Sequence, residues 1–281
     1  MTFFRADLHC HTTCSDGTLT PKEVVQLAHA IGLNGLAITD HDTIAAYEKA
    51  LPLAQEAGLP LISGVEFSTA LHGHNVHLLG YSFNLKSSII YDYCQRHQRR
   101  RLERNRTILE LLTQHGFPLT EDDLIEPGPA ISEQKTIGRP HIALAMVKKG
   151  YVTNIQEAFN KYIGENKPCY APGKSMSVEE TINIIHQAKG FAVIAHPHLI
   201  SETRLVRDLL EMPFDGIEGY YGRFAAKEQE RWVKIGQHRK WIVTGGSDFH
   251  GTIKPTLPLG SSWVNEETFN ILYERFKENQ K

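Results

Sequence analysis

The chain reads as an α/β fold carrying a mostly helical insertion, and three patterns lead there. Short apolar runs alternate with amphipathic helical stretches from Arg5 to Glu66, the same rhythm returns after Ser177, and residues 85–174 lose it and turn mostly helical. In order, "ADLH" (6–9) spells a strand. Thr20, Pro21 and Glu23 form a capping box with proline at the first helical position, and Val24, Leu27, Ala28 and Ile31 carry a helix to about Ile31. "GLAITDH" (35–41) is a buried strand, "TIAAYEKALPLAQEAG" (43–58) a helix interrupted at Pro52, and "LPLISGVEFST" (59–69) a strand region. Beyond the insertion, Ser177 and Glu180 make a second capping box. "GFAVIAHP" (190–197), "FDGIEGYY" (214–221) and "WIVTGGSDFH" (241–250) read as strands separated by helices. A last helix, "EETFNILYERFKENQ" (266–280), is expected on the outside of the fold. This alternation fits an α/β barrel or a wound parallel sheet.

Composition sets outer limits. With 281 residues, 41% hydrophobic and 22% charged, the chain has the make-up of a soluble globular protein with a substantial core. Thirty Lys and Arg against 32 Asp and Glu exclude a generally basic nucleic-acid binder, though not a local basic patch. There is no apolar run of membrane-spanning length, and a polar motif begins within a few residues of Met1. The expectation is a cytoplasmic protein without a signal peptide or an obligatory protein partner. Four scattered cysteines do not suggest a disulfide framework, whereas 15 histidines are unusual.

The polar residues of chemical interest follow the apolar runs: His9 and His11, Asp40 and His41, Glu66, His77, His196, then Asp248 and His250. In parallel α/β folds the carboxyl ends of the strands converge, so these residues are expected in one cluster. His9/His11 and Asp248/His250 share an i, i+2 spacing, which puts both members of each pair on one face of an extended segment. Cys10 then faces away as a small buried hydrophobe, and Cys14 falls in the loop. Imidazoles and carboxylates together suit first-row divalent ions such as Mn²⁺, Fe²⁺ or Zn²⁺, and the lack of cysteine-pair spacing disfavours a structural zinc site. His72, His74, His97, His115, His186, His198 and His238 carry no such pattern, although His74 and His198 adjoin proposed ligands.

Together, "DLHCHTTCSDG", "ITDHDT", "GVEFST", "HNVHLLGY", "AVIAHPH" and "GGSDFHG" resemble, in order, the motifs of the polymerase and histidinol phosphatase (PHP) superfamily of metal-dependent phosphoesterases. The resemblance implies a distorted (β/α)7 barrel in two parts, 1–85 and 175–281, interrupted by a helical cap over 86–174. It also implies two or three metal ions, with Mn²⁺ favoured. His9, His11, Glu66 and Asp248 would hold one ion; Glu66, His77 and His196 a second, with Glu66 bridging; and Asp16, His41 and His250 a third. Asp40 would orient an imidazole. The insertion after "HLLGY" and the "GRPHIA" motif (138–143) resemble a stand-alone branch. Its members remove the 3'-phosphate from nucleoside 3',5'-bisphosphates, and some trim short 5'-phosphorylated RNA from the 5' end.

Closely spaced metal ions suit phosphate-ester hydrolysis, because they lower the pKa of a bound water, bind the phosphoryl oxygens and stabilise the leaving oxygen. Arg139-Pro140-His141 begins a helix, which aims free N–H groups and an arginine fork at an anion, so Arg139 and His141 are candidate phosphate ligands, with His141 a candidate proton donor. Lys174, at the return to the barrel, is a third candidate. "APGKSMS" lacks the first glycine of a P-loop. Arg96, Arg100 and Arg104 form a helical stripe that reads as a solvated face unless it meets the cleft, and Tyr162 and Tyr170 are candidate stacking residues. The expected substrate is a nucleotide or short RNA. A non-nucleotide phosphate ester such as histidinol phosphate, and a noncatalytic metal-stabilised binding module, are the alternatives.

Overall fold

The computed structural model describes residues 3–124 and 135–281. Its elements run β1 (Ala6–Asp7), α1 (Pro21–Ala30), β2 (Gly35–Ile38), α2 (Tyr47–Glu56), β3 (Leu61–Leu71), β4 (His74–Tyr81), α3 (Ser88–Gln114), α4 (Arg139–Lys148) and α5 (Ile155–Ala158). They continue with β5 (Met176–Ser177), α6 (Val178–Gln187), β6 (Phe191–Ile194), α7 (Thr203–Leu210), β7 (Gly216–Tyr221), α8 (Ala226–Arg239), β8 (Ile242–Gly246) and α9 (Glu266–Asn279). The strands form one sheet in the order β1-β2-β3-β4-β6-β7-β8, with β5 paired to the far end of β3. Leu8 N–H donates to Gly245 O across 3.2 Å, bringing the first strand against the last and nearly closing a barrel. Buried Asp7 secures that seam by accepting from the backbone N–H groups of His9, Ser247 and Gly260. Gly246 permits the approach, since a Cβ there would lie 2.4 Å from the His9 backbone.

Most neighbours are parallel, but β4 runs antiparallel to both β3 and β6. This distorts the barrel and corrects one expectation. His77 does not follow its apolar run; it precedes it, because β4 enters from the end where the other strands leave. An apolar run does not encode strand direction.

Three further expectations change. The second helix starts only at Tyr47 and continues through Pro52, which is exposed and leaves the helix one backbone donor short. At Ser177 only half of the capping box forms: Ser177 Oγ accepts from Glu180 N–H, while the Glu180 carboxylate pairs with Arg96 at 2.7 Å. The box at Thr20 and Glu23 is complete. Helix α9 does not lie on the outside. Its Phe269, Leu272 and Phe276 join Ala37, Ile62, Leu79 and Val193 in one buried cluster, so α9 plugs the barrel at the end opposite the strand exits. The apolar face of "FNILYERF" specifies burial without specifying against which surface.

The insertion has its own core. Ile108, Leu112, Ile142, Met146, Ile163 and Cys169 pack in a cluster separate from the barrel. Helix α3 belongs to both units: Ile90, Tyr93 and Cys94 pack into the barrel's outer core, and Ile108, Leu109 and Leu112 into the insertion. The 27-residue α3 thus runs continuously from one cluster to the other. Among the described residues no helix is long and apolar enough to cross a membrane.

Candidate metal centre and its approach

The regular ladders end before most of the polar residues named above, and the chain then departs from strand geometry. Asp42, His196 and Asp248 have positive φ values of 56°, 25° and 53°. Such values are uncommon outside glycine and cost on the order of 1–3 kcal/mol each. At His196 and Asp248 this strained backbone aims side chains into the mouth, whereas Asp42 turns to Arg101 and Ser68.

Glu66, on β3, is the hub. Its Oε1 lies 2.7 Å from His77 Nδ1 and 2.8 Å from His196 Nε2. Its Oε2 lies 3.2 Å from His9 Nε2, 3.1 Å from His11 Nε2 and 3.3 Å from His41 Nδ1. Asp248 Oδ1 is 3.5 Å from His9 Nε2 and 3.4 Å from His11 Nε2. Asp16 faces His250 Nε2 at 3.4 Å and His41 Nε2 at 3.8 Å. All nine residues expected to ligate thus converge. Among the described residues, three overlapping groups have donor atoms within 4.8 Å of one another: His9, His11, Glu66 and Asp248; His11, Asp16, His41 and His250; and His41, Glu66 and His77. The first matches the expected set. The third differs in drawing on His41, while His196 meets the shared Glu66 oxygen directly.

This donor set fits divalent metal ions. His11 Nε2 and His41 Nδ1 are buried without a hydrogen-bond partner, although Glu66 is close, so neither nitrogen is committed to the carboxylate. Burial pushes His41 down to about 3, which leaves it neutral with a free lone pair. Burial works against ionisation of Glu66 and Asp16, but neighbouring imidazoles hold both carboxyls well below their ordinary range. For His11, burial is outweighed by Asp248 and Glu66, which lift it to about 9. Filling the site therefore requires displacing protons.

Several residues that support this cluster were not legible in the sequence. Glu218, fully buried on β7, accepts from His9 Nδ1 at 2.9 Å and from His196 N–H at 2.7 Å. It fixes the His9 tautomer so that Nε2 faces the centre. A lone glutamate inside the apolar run "GIEGYY" was the available signal. Tyr221 and Lys254 hold Asp248 Oδ2 at 2.7 and 2.6 Å. Asp40 acts on an imidazole at one remove: its carboxylate accepts from Thr12 N–H, Thr12 Oγ1 and Ser15 Oγ at 2.5–2.7 Å, and Ser15 Oγ lies 3.4 Å from His11 Nδ1, so Asp40 pins the loop that carries His11 and Asp16.

The insertion meets this loop. Thr136 N–H donates to Cys14 O at 2.8 Å, and α4 starts three residues later. His141 Nδ1 accepts from Gly138 N–H at 3.1 Å, which leaves the hydrogen on Nε2, and burial pushes its pKa down to about 4. The Arg139 guanidinium lies over Phe159 and Tyr170, 5.8 and 5.4 Å from the ring centroids. Tyr162 instead packs on Phe117 in the insertion's core. Lys174 lines a separate cavity with Arg100, Arg101 and Arg104. Of the expected exceptions, His198 is half-buried among Tyr221, Phe224 and Trp232, and His74 is exposed at the start of β4.

The profile of the PHP domain family matches residues 7–162, more than half of the chain. The chain belongs to the PHP family. Over 254 residues this PHP chain is 35% identical to a 5'-3' exoribonuclease of Haemophilus influenzae, covering 87% of the chain and 89% of that protein. It is 30% identical over 249 residues to a 3',5'-nucleoside bisphosphate phosphatase of Chromobacterium violaceum, covering 87% and 86%. Its backbone overlays a solved structure from Bifidobacterium adolescentis, described as a metal-dependent phosphoesterase, with a TM-score of 0.86 at 33% identity over 96% of both chains. Family, relatives and the His/Asp/Glu cluster together support a metal-dependent phosphoester hydrolase.

Proposed function

We propose that this PHP protein removes the 3'-phosphate from nucleoside 3',5'-bisphosphates and releases mononucleotides from the 5' end of short 5'-phosphorylated RNA. The observation that carries the reading is Glu66, one buried carboxylate met by five imidazoles, two of which present unpartnered nitrogens. The substrate class follows the names of the relatives. His9, His11, Glu66 and Asp248 would hold one ion, Glu66, His77 and His196 a second, and Asp16, His41 and His250 a third, with Mn²⁺ our choice among Mn²⁺, Zn²⁺ and Fe²⁺. Bound ions supply the Lewis acidity that activates water and offsets charge on the phosphoryl and leaving oxygens.

The chain's own residues prepare that site. Glu218 holds His9 in the ligating tautomer, and Asp40 holds the loop that carries His11 and Asp16. Residues 86–174 act as a cap that brings substrate-binding groups to the mouth. Arg139 clamps a phosphate with its fork while Phe159 and Tyr170 restrict its rotation. His141, neutral and bound through Nδ1, carries its hydrogen on Nε2, which a phosphoryl oxygen takes over from the Ser15 backbone. Lys174 contributes a further positive charge.

The test is a paired assay of Mn²⁺-loaded protein on adenosine 3',5'-bisphosphate and a 5'-phosphorylated RNA oligomer, with a chelator control. Chelator-sensitive release of inorganic phosphate from the first, or of mononucleotides from the 5' end of the second, is expected. Metal-replete protein inert on both substrates overturns the nucleotide reading.

A further inference from the structure

The three carboxylates expected to ligate are not equivalent. Glu66 turns both oxygens to imidazoles, Oε1 to His77 and His196 and Oε2 to His9, His11 and His41. Asp16 likewise turns Oδ1 toward His250 and Oδ2 toward His41. Asp248 divides its oxygens. Its Oδ1 faces His9, His11 and, at 3.4 Å, His250 Nδ1. Its Oδ2 accepts instead from the Tyr221 hydroxyl at 2.7 Å and from Lys254 Nζ at 2.6 Å. A carboxylate oxygen has two lone pairs, so these two donors fill Oδ2.

The fold fixes both donors. Tyr221 ends β7 and is buried, and its ring packs on His198 and Phe224, each 5.9 Å away between ring centroids. Lys254 reaches Asp248 because the chain turns back after His250 in one tight helical turn, Gly251–Ile253. Gly251 lets that turn sit on the loop that carries Asp16. Its φ is +66°, and a Cβ there would lie 2.0 Å from Thr18 Oγ1, which accepts from Thr252 N–H at 3.0 Å. The half-buried Lys254 ammonium is thereby brought against the outer oxygen of an expected metal ligand.

We propose that Tyr221 and Lys254 form a clamp that restricts Asp248 to one ligating oxygen, and that this clamp biases the centre against Ca²⁺ and toward first-row divalent ions. The proposal rests on the metal-centre reading and adds the residues that select the ion. Ca²⁺ takes about six to eight oxygen ligands and uses bidentate carboxylates to reach that number. The group His9, His11, Glu66 and Asp248 brings two imidazoles, donors that suit first-row ions, and the clamp leaves Asp248 only Oδ1 to offer. The Lys254 charge works in the same direction. It offsets the charge of Asp248, and calcium affinity rises with the number of charged ligands. Removing the ammonium hands Ca²⁺ both a further oxygen and a further negative charge.

The test dialyses wild type, Lys254→Met, Lys254→Arg and Tyr221→Phe against Mn²⁺ with rising Ca²⁺ and counts the bound ions by metal analysis, with thermal unfolding as a control on folding. In Lys254→Met one equivalent of Mn²⁺ is expected to yield to Ca²⁺ at a Ca²⁺ to Mn²⁺ ratio roughly tenfold below that of wild type, the scale on which partners of a ligand tune metal affinity. The other equivalents should exchange as in wild type. Tyr221→Phe should shift the same equivalent in the same direction by less, because it frees a lone pair without removing charge. Lys254→Arg keeps a charged donor and should follow wild type. A variant that merely loosens the turn would bind both ions more weakly with their ratio unchanged, and that result in Lys254→Met overturns the clamp. If wild type binds no divalent ion, the metal-centre reading fails and the clamp with it. If wild type binds Mn²⁺ and the exchange ratio is the same in all four proteins, the clamp alone fails.

Discussion

At the barrel mouth carboxylates and imidazoles meet in a dense, mutually paired cluster; a few residues away, four cations line a cavity with a single carboxylate. The mouth is largely shielded from water, whereas the arginines of the cavity are half-buried and Lys174 is exposed, and both regions sit in a chain whose formal charge is only −2. The contrast shows that net charge hides the functional electrostatics. The mouth gathers ionised Asp16, Glu66 and Asp248 among imidazoles that can lose their protons, an environment short of cations. The seam with the insertion gathers guanidinium groups whose donors lack acceptors, an environment short of anions. One fold thus presents complementary sites side by side, as a metal-dependent reaction on a phosphorylated substrate requires.

The largest break in this comparison comes from Glu66→Gln. The amide keeps the volume but removes the charge that five imidazoles share. Turnover should fall roughly a thousandfold or more, since metal-assisted charge stabilisation is worth several kcal/mol. Metal analysis should show reduced occupancy, and circular dichroism an unchanged fold. Full activity with full metal content would remove Glu66 from the centre.

A smaller effect is expected at Glu218, which touches the centre only through His9 and the His196 backbone. Glu218→Gln should raise the apparent metal dissociation constant roughly ten- to a hundredfold, as is typical when a partner of a ligating imidazole is lost. Excess Mn²⁺ should restore most of the activity. A metal titration superimposable on wild type counts against the orienting role.

These two glutamates also mark how far the sequence could be read. Glu66 was visible because it stands in "GVEFST" beside a set of His and Asp residues at the ends of neighbouring apolar runs, two pairs of which share an i, i+2 spacing. Glu218 was not, because its significance lies in a contact to His9 made 209 residues away. The same limit explains Arg100 and Arg104. Helical spacing put them on one stripe, but whether that stripe meets water or the Pro172–Lys174 return depends on how α3 is shared between two cores. Periodicity encodes which face is buried, not what covers it. That is also why α9 was placed outside the barrel it plugs, and why the reversed direction of β4 escaped notice.

The smallest expected effect probes the seam itself. His97 lies between the two regions, its Nδ1 3.1 Å from Asp42 Oδ1 and its ring stacked on Phe67 and edge-on to Tyr93. Burial pushes its pKa from 6.5 down to about 4; Asp42 opposes this, while Arg100 and Arg101 reinforce it. The depressed value means the folded protein holds His97 neutral where the unfolded chain would protonate it. The corresponding stability is present above about pH 6.5 and is lost as pH falls toward 4, on the order of 3 kcal/mol when fully expressed. His141 and His198, also lowered to about 4, add to the same decline. Thermal unfolding of wild type should therefore weaken steeply over this window, and His97→Gln, which cannot take up the proton, should weaken less. The difference between the two slopes isolates His97 from the other buried imidazoles. Identical slopes would mean that water reaches His97 and shares its proton. A shallower slope in the variant would show that a protonated His97 adds one more positive charge to a seam that already lacks anions, so the neutrality of this one ring helps keep the two regions distinct.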